Sequence, residues 1–421
     1  MKIIFRISII GYVLAALFNV QLNAQEVLET GGRKMPSEWI DKDTHHKVIR
    51  LTRNDRNNLC FYFHNNPFVG DNMVYYSSSF APTNTSGEET YNMTSKDKQI
   101  YLLNLKTLKS ERLSNHPTPM KGEIVFAPRK EVYYQVDDSI FRVNIDTKRE
   151  SLFYVFPSDF RGDITSINAD GSLLGGTKSC DEEKELMKKY PKKHDYFGRM
   201  FEAKFPRTLF TINIKTKELS KVFSDSAWLN HVQFSPTDPA KLMFCHEGHW
   251  HKVDRIWTID INTKAVTLIH KRTMPMEIAG HEWMGASGKT IWFDLQQPRG
   301  QTFYIGGVDL NTNKERKYQL KRDEWSVHFT SSKDEKSFAG DGGDSGSVAK
   351  AKNGMWINFF TPSSDTMVTE HLVNLHNHKY RLEPNVHFSP DGKWIIFRAN
   401  FEGKEDIYAV EIKKSEYVIS D

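Results

Sequence analysis

Short runs of alternating apolar and polar positions recur along the chain, and they end alike. Residues 101–109 (YLLNLKTLK), 141–149 (FRVNIDTKR), 209–219 (LFTINIKTKEL), 256–266 (IWTIDINTKAV) and 304–315 (YIGGVDLNTNKE) share one form. Each passes from a strand into Asn or Asp, then a polar turn with Thr107, Thr147, Thr216, Thr263 or Thr312, then a second strand. Period-2 alternation on both sides of a turn is the pattern of a β-hairpin. A second unit of strand, tight turn and strand falls between these hairpins, at 126–135 (FAPRKEVYYQ), 167–176 (INADGSLLGG), 234–244 (FSPTDPAKLMF), 283–293 (WMGASGKTIWF), 329–340 (FTSSKDEKSFAG) and 388–397 (FSPDGKWIIF). Together they give about four strands every roughly 40–55 residues, the spacing of a propeller blade. The expected fold is all-β, a seven-bladed β-propeller forming a single domain over 25–421. Residues 46–52 (HKVIRLT) make an isolated early strand and the last repeat is one strand short, so the N-terminal strand is expected to complete the final blade.

One segment breaks the pattern. Residues 179–206 are charged and aromatic and read as a partly helical insertion overhanging one face, either a solvated excursion or a lid or subsite wall. Residues 1–24 have a basic start (Lys2, Arg6), an apolar run over 9–18 and LNA before Gln25, the form of a secretory signal peptide. That places the protein outside the cytoplasm, in the periplasm, and the apolar run is too short to imply stable membrane insertion. The formal charge is +4 with basic residues scattered rather than striped, so nucleic acid is not an expected partner. Cys60, Cys180 and Cys245 are odd in number and far apart, giving neither a CxxC site nor a complete disulfide framework. Aromatic residues at 12% suit β-sheets or sugar-binding surfaces.

Several of the 16 histidines begin blade strands: His231 in LNHVQFSP, His246 in FCHEGHW, His281 in AGHEW, His328 in WSVHFTSS and His387 in EPNVHFSPDG. The starts of innermost strands point into one end of a propeller's channel, so these five are expected to converge. Glu383, Asn385 and His387 are spaced to project together from an extended segment. With His328 they make a mixed N/O set for Mn²⁺, Ca²⁺, Mg²⁺ or Zn²⁺, or else a polar network at a blade junction. Arg255 follows Asp254, and the two read either as a bridge between blades or as a guanidinium free to grip a carboxylate at two points. HEGHWH lacks the helical HExxH spacing of a zinc protease.

The run HVQFSPTDPAKLMFCHEGHWHKVDRIW, with RTMPMEIAGHEW, TIWFDLQ and the later FSPDGKWIIF, resembles the oligogalacturonate lyases, a seven-bladed propeller family that degrades pectin. The likeness runs from about His46 to the C-terminus and is densest over 231–296. It implies Mn²⁺-assisted β-elimination on short α-1,4-linked galacturonides, yielding 4,5-unsaturated uronates. It also implies that His281 is the proton acceptor, Arg255 the carboxylate-binding residue and His328 the first metal ligand; His231 and His246, from the converging set, are expected to bind substrate. The family's other ligands, a Gln and a His-Pro-His motif before the FSPD strand, fall here near Tyr380 and on Glu383 and Asn385; His387 lies closer to the strand. Two other classes remain open from the residues alone. A non-catalytic exported propeller would bind a glycan or protein partner, and a hydrolase would need two spaced carboxylates, for which Glu247, Glu282 and Glu383 are candidates.

Overall fold

The computed structural model describes residues 25–79, 97–117 and 120–415; the expected signal segment at 1–24 lies outside the described residues. The five polar turns anticipated from the sequence share one physical device. In each, the side-chain oxygen of the Asn or Asp accepts the backbone N–H groups two and three residues on: Asn104 from Lys106 and Thr107, Asn144 from Asp146 and Thr147, and Asn213 from Lys215 and Thr216. Asp260 and Asp309 do the same. The residue after each Thr then takes a left-handed conformation, with φ between 55° at Leu108 and 65° at Lys217. The short polar side chain thus stands in for a backbone acceptor and closes the hairpin.

Strands pair in chain order into antiparallel meanders. Four of these are Lys121–Phe126 to Glu150–Val155, Asp163–Ile167 to Leu219–Asp225, Trp228–Phe234 to Val266–Leu268, and Ile278–Met284 to Glu315–Leu320. The last joins the meander Phe329–Ser331 to Thr366–Asn374 through one parallel bridge, Gln319 to Thr366. A further sheet holds Arg56–Leu59, Asn72–Ser79, Gln99–Asn104 and Ser110–Arg112. In the remaining sheet the C-terminal strands His387–Phe388, Trp394–Ala399 and Asp406–Lys414 are continued by N-terminal His46–Arg50, which pairs antiparallel with Asp406–Lys414. The N-terminal strand therefore does complete the last sheet, as the sequence led us to expect. Among the described residues this is a propeller-like succession of sheets, with apolar side chains packed between neighbours: Ile124 and Tyr133 of one sheet meet Ile164, Leu174 and Phe210 of the next.

The seam is bound by more than strand pairing. Trp39 is fully buried, lies edge-on to Tyr408 at 6.0 Å, and donates its indole N–H to Thr30 at 2.8 Å. Val48 packs in the same cluster with Ile395, Phe397 and Val410.

The insertion is helical, as expected: Asp181–Lys189 and Lys193–Ala203 leave the sheet between the paired strands Leu173–Ser179 and Arg207–Asn213. Asp181, Glu182 and Glu183 crowd the first turn and Lys188 and Lys189 the last, which suits the helix dipole.

Because the seam holds the two chain ends together, Trp39→Ala is expected to lower stability by about 3–5 kcal/mol, the range for truncating a buried Trp. Urea unfolding would read this as a lower midpoint; an unmoved midpoint would show that the seam does not depend on this residue.

Candidate active site

Two irregularities place the central histidines. In strand Ile278–Met284 the register skips between Gly280 and Trp283, leaving His281 and Glu282 opposite Phe293 alone. In strand Trp228–Phe234 it skips between Asn230 and Gln233. These are β-bulges, and His281 (φ 47°) and His231 (φ 49°) adopt the left-handed conformation that an L-residue takes only under constraint. The bulge sends two successive side chains in useful directions. The His281 ring lies 4.6 Å from the His328 ring and 4.9 Å edge-on from Trp250, while the Glu282 carboxylate receives Arg255. Gly280 allows this, since a Cβ there would fall 2.3 Å from the Trp250 ring.

Arg255 is 1% exposed, beneath the Trp250 ring at 4.7 Å. Its Nε donates to Glu282 Oε2 at 2.9 Å and its NH1 to Glu247 Oε1 at 2.8 Å. The Asp254–Arg255 bridge is not what forms; Asp254 pairs with Arg272 at 3.1 Å. Nor is the guanidinium free to grip a carboxylate in this arrangement, because Glu247 and Glu282 already hold it. Burial pushes the Glu247 carboxyl up, but Arg255, then His231 and the Gly248 N–H, outweigh it and lower its pKa to about 2.

His328 is fully buried. Its Nδ1 lies 2.9 Å from Asp341 Oδ2, its backbone N–H donates to Asp341 Oδ1 at 2.7 Å, and its Nε2 has no hydrogen-bond partner. Glu383 Oε2 stands 3.7 Å from that nitrogen. His281 Nδ1 and His64 Nδ1 are likewise buried without partners. Three unpartnered ring nitrogens thus lie in one cluster, available to a ligand or to water.

Of the five histidines expected to converge, the structure gathers His231, His281 and His328, and leaves two apart. His246 stacks on Trp257 at 4.8 Å in a separate depression of about 280 Å³ with Met200, Phe201 and Lys204. His387 points its Nε2 at the Phe61 carbonyl, 3.1 Å away. Asn385 is also engaged: its Oδ1 accepts the Phe63 N–H at 3.0 Å and its Nδ2 donates to the Glu383 carbonyl. The expected common projection of Glu383, Asn385 and His387 fails because Asn385, at φ 52°, interrupts the extended run. Tyr380 donates its hydroxyl to the Asp341 carbonyl at 2.7 Å. Among the described residues no group of three or more His, Cys, Asp or Glu is arranged to hold a metal ion.

In place of those side chains come two that the sequence did not single out. The segment 60–64 is tied to 384–387 through Phe61, Phe63 and the Cys60 thiol, and it carries Tyr62 and His64 into the cluster. The Tyr62 ring lies 5.1 Å from His328 and 6.1 Å from His231; His64 lies 6.1 Å from His231. A depression of about 330 Å³ opens beside them, lined by His64, His231, Glu123 and Lys121 among others. Burial raises the Glu123 carboxyl to about 8.

A family model described as oligogalacturonate lyase matches residues 37–416. The oligogalacturonide lyase of Pectobacterium atrosepticum is 25% identical over 409 residues, covering 91% of this chain and 98% of that protein. The oligogalacturonate lyase of Dickeya dadantii is 25% identical over 396 residues, covering 90% and 96%. Two solved structures share the fold. An oligogalacturonate lyase in complex with manganese superposes with TM-score 0.75 at 21% identity, covering 92% of this chain and 99% of that one. An oligogalacturonate lyase from Vibrio parahaemolyticus gives 0.74 at 21% identity, covering 90% and 96%.

Burial, then the neighbouring His328, Arg255 and His231, hold the His281 pKa well below its ordinary value of 6.5. The ring is thus expected to remain neutral as pH falls through 6.5, and its NMR titration midpoint should lie below that value. A midpoint at or above 6.5 would show that the surroundings do not favour the neutral ring. The unfolded chain binds that proton near pH 6.5, so this residue's contribution to stability falls as pH drops below 6.5.

Proposed function

The chain belongs to the oligogalacturonate lyase family, and on that premise we propose that it cleaves short α-1,4-linked oligogalacturonides by β-elimination with His281 as the base. The reaction forms a C4=C5 double bond. A base takes the C5 proton, the C5–H electron pair becomes the new π bond, and the C4–O bond breaks with its electrons leaving on the glycosidic oxygen, which takes a proton from solvent. Negative charge builds on the C6 carboxylate as C5 loses its proton, so the site needs a neutral base and nearby positive charge. The observation that carries the reading is the His281 imidazole. A bulge fixes it, burial lowers its pKa, and its ring stands 4.6 Å from a second imidazole whose unpartnered nitrogen faces a carboxylate.

A divalent cation fits the same place on the chemistry of its donors. His328 Nε2 is unpartnered, Asp341 backs its Nδ1 as carboxylates commonly back metal-binding imidazoles, and Glu383 lies opposite. Charge argues likewise: Glu247, Glu282, Glu383 and Asp341 surround the site, while Arg255 is spent on the first two. His328 and Glu383 are therefore the residues that would hold the ion, with Asn385 and His387 committed elsewhere. When bound, it supplies a Lewis-acid charge for the substrate carboxylate; Mn²⁺ is favoured by the manganese complex of the structural relative. Arg255 fixes the Glu282 end of the bulge and adds positive charge behind His281. The N-terminal signal reading supports a periplasmic location.

Purified mature protein incubated with Mn²⁺ and digalacturonate should produce absorbance near 235 nm, the mark of the unsaturated uronate. His281→Ala should lower kcat by about 10²–10⁴-fold while leaving the thermal midpoint in place; near-normal turnover would exclude His281 as the base. Asp341→Asn should weaken Mn²⁺ binding about 10–100-fold, read as free Mn²⁺ by electron paramagnetic resonance. Unchanged affinity would make His328 a structural residue.

A further inference from the structure

Elimination needs two proton transfers, and His281 performs only one of them. The electrons of the C4–O bond leave on a sugar oxygen, and an alkoxide is too basic to depart readily at neutral pH unless a proton reaches it as the bond breaks. In a galacturonate ring O4 and the C5 hydrogen lie on opposite faces, so the group that removes one cannot also protonate the other. A second side chain is called for, one that carries a proton at neutral pH and has it free to give.

Tyr62 has these properties. A phenol is protonated at neutral pH by its ordinary acidity. Tyr62 is half-buried, and its hydroxyl is neither hydrogen-bonded among the described residues nor sealed from solvent as His281 Nδ1 and His328 Nε2 are. It lines the depression of about 330 Å³ with His64 and His231. An imidazole, ordinarily half-titrated at about pH 6.5, is a poorer proton reservoir at neutral pH, which sets the phenol apart from these two neighbours. The Tyr62 ring stands edge-on to His328 at 5.1 Å, and the His281 ring stands 4.6 Å from the same His328. Among the described residues the two share no ring contact with each other. A sugar seated at His328 Nε2 therefore meets the imidazole and the phenol at separate points, as removal of H5 and departure of O4 from opposite faces require.

The backbone on both sides of Tyr62 is fixed. Phe61 and Phe63 are 1% and 2% exposed; the Phe61 carbonyl lies 3.1 Å from His387 Nε2, and the Phe63 N–H donates to Asn385 Oδ1 at 3.0 Å. The Tyr62 carbonyl accepts the Asn65 N–H at 2.9 Å, which closes a turn. Asn385 and His387, expected from the sequence to bind a metal, thus hold the segment that presents the phenol.

We propose that Tyr62 is a second catalytic residue of this site, the donor that protonates the glycosidic oxygen as the C4–O bond breaks. This rests on the lyase reading. The Tyr62 O–H gives its proton to the leaving oxygen and keeps the electron pair as phenolate. Solvent re-protonates the phenolate, and His281 returns the C5 proton to solvent. The proton gained by the leaving oxygen still comes from solvent, by way of the phenol, and each turnover ends with both side chains as they began.

The test compares digalacturonate with a galacturonate carrying a 4-nitrophenyl ether at C4, from which nitrophenolate departs without a proton while the same double bond forms. Tyr62→Phe should lower kcat on digalacturonate about 10²–10⁴-fold and leave kcat on the ether near the wild-type value, which also shows the variant to be folded. His281→Ala should lower both. Deuterium oxide gives a readout that needs no ether: with its base intact, Tyr62→Phe should still place deuterium at C5 of unconsumed digalacturonate, read by NMR, while forming little product. Undiminished kcat on digalacturonate, or loss of the ether reaction and of C5 exchange along with it, would overturn the role of Tyr62 and leave the lyase reading standing. A wild type that forms no unsaturated product from either substrate would overturn the lyase reading itself.

Discussion

A ring of sheets stays a ring only if its two chain ends are joined, and here that joint is the antiparallel pairing of His46–Arg50 with Asp406–Lys414. Each interior sheet is held on both sides by neighbours through buried apolar layers, but the seam must be made from residues about 360 positions apart. Closing such a distant contact carries a loop entropy that grows only slowly with length. The fully buried Trp39, Val48, Phe397, Tyr408 and Val410 offset it with apolar burial. The functional cluster depends on that joint, because the 60–64 segment, early in the chain, reaches His231, His281 and His328 only once it is tied to 384–387 at the end of the ring.

Within the ring, a buried guanidinium organises the chemistry. Arg255 cannot be left unpaired away from water, so its requirement fixes Glu247 and Glu282. Glu282 is one half of a bulge whose other half is His281, so the ion pair also sets the direction of the imidazole. Trp250 covers both the cation and the ring. The arrangement accounts for a histidine in a left-handed conformation, because the pairing beneath it sustains the local strain.

How much of this was legible differs by range of interaction. The five Asn/Asp–Thr turns were readable because a side chain that caps its own hairpin is a local device, and the period-2 strands around them follow from burial of one face. The closing strand was readable from a count of strands. His281, His231 and His328 could be placed because they sit at equivalent points of a repeat. Tyr62 and His64 were missed because segment 60–64 belongs to no repeat and enters the site through contacts with residues more than 300 positions later. Asn385 and His387 were given ligand roles on the assumption of an extended backbone, and one left-handed residue undid the alternation. Arg255 was found by its motif, but its two partners could be seen only in three dimensions.

The helical excursion leaves and rejoins the sheet at the directly paired residues Ser179 and Arg207, so its two ends are one strand spacing apart. A segment attached in that way can lengthen, shorten or be exchanged without shifting the register of any strand. It packs on Trp228 and His249 and takes no part in the strand pairing that closes the ring. Changes on the outward side of the two helices therefore leave the sheets as they are, whereas changes at Phe197 or Phe201 reach Trp228, Gly248 and His249, and through them the strand end that carries Trp250.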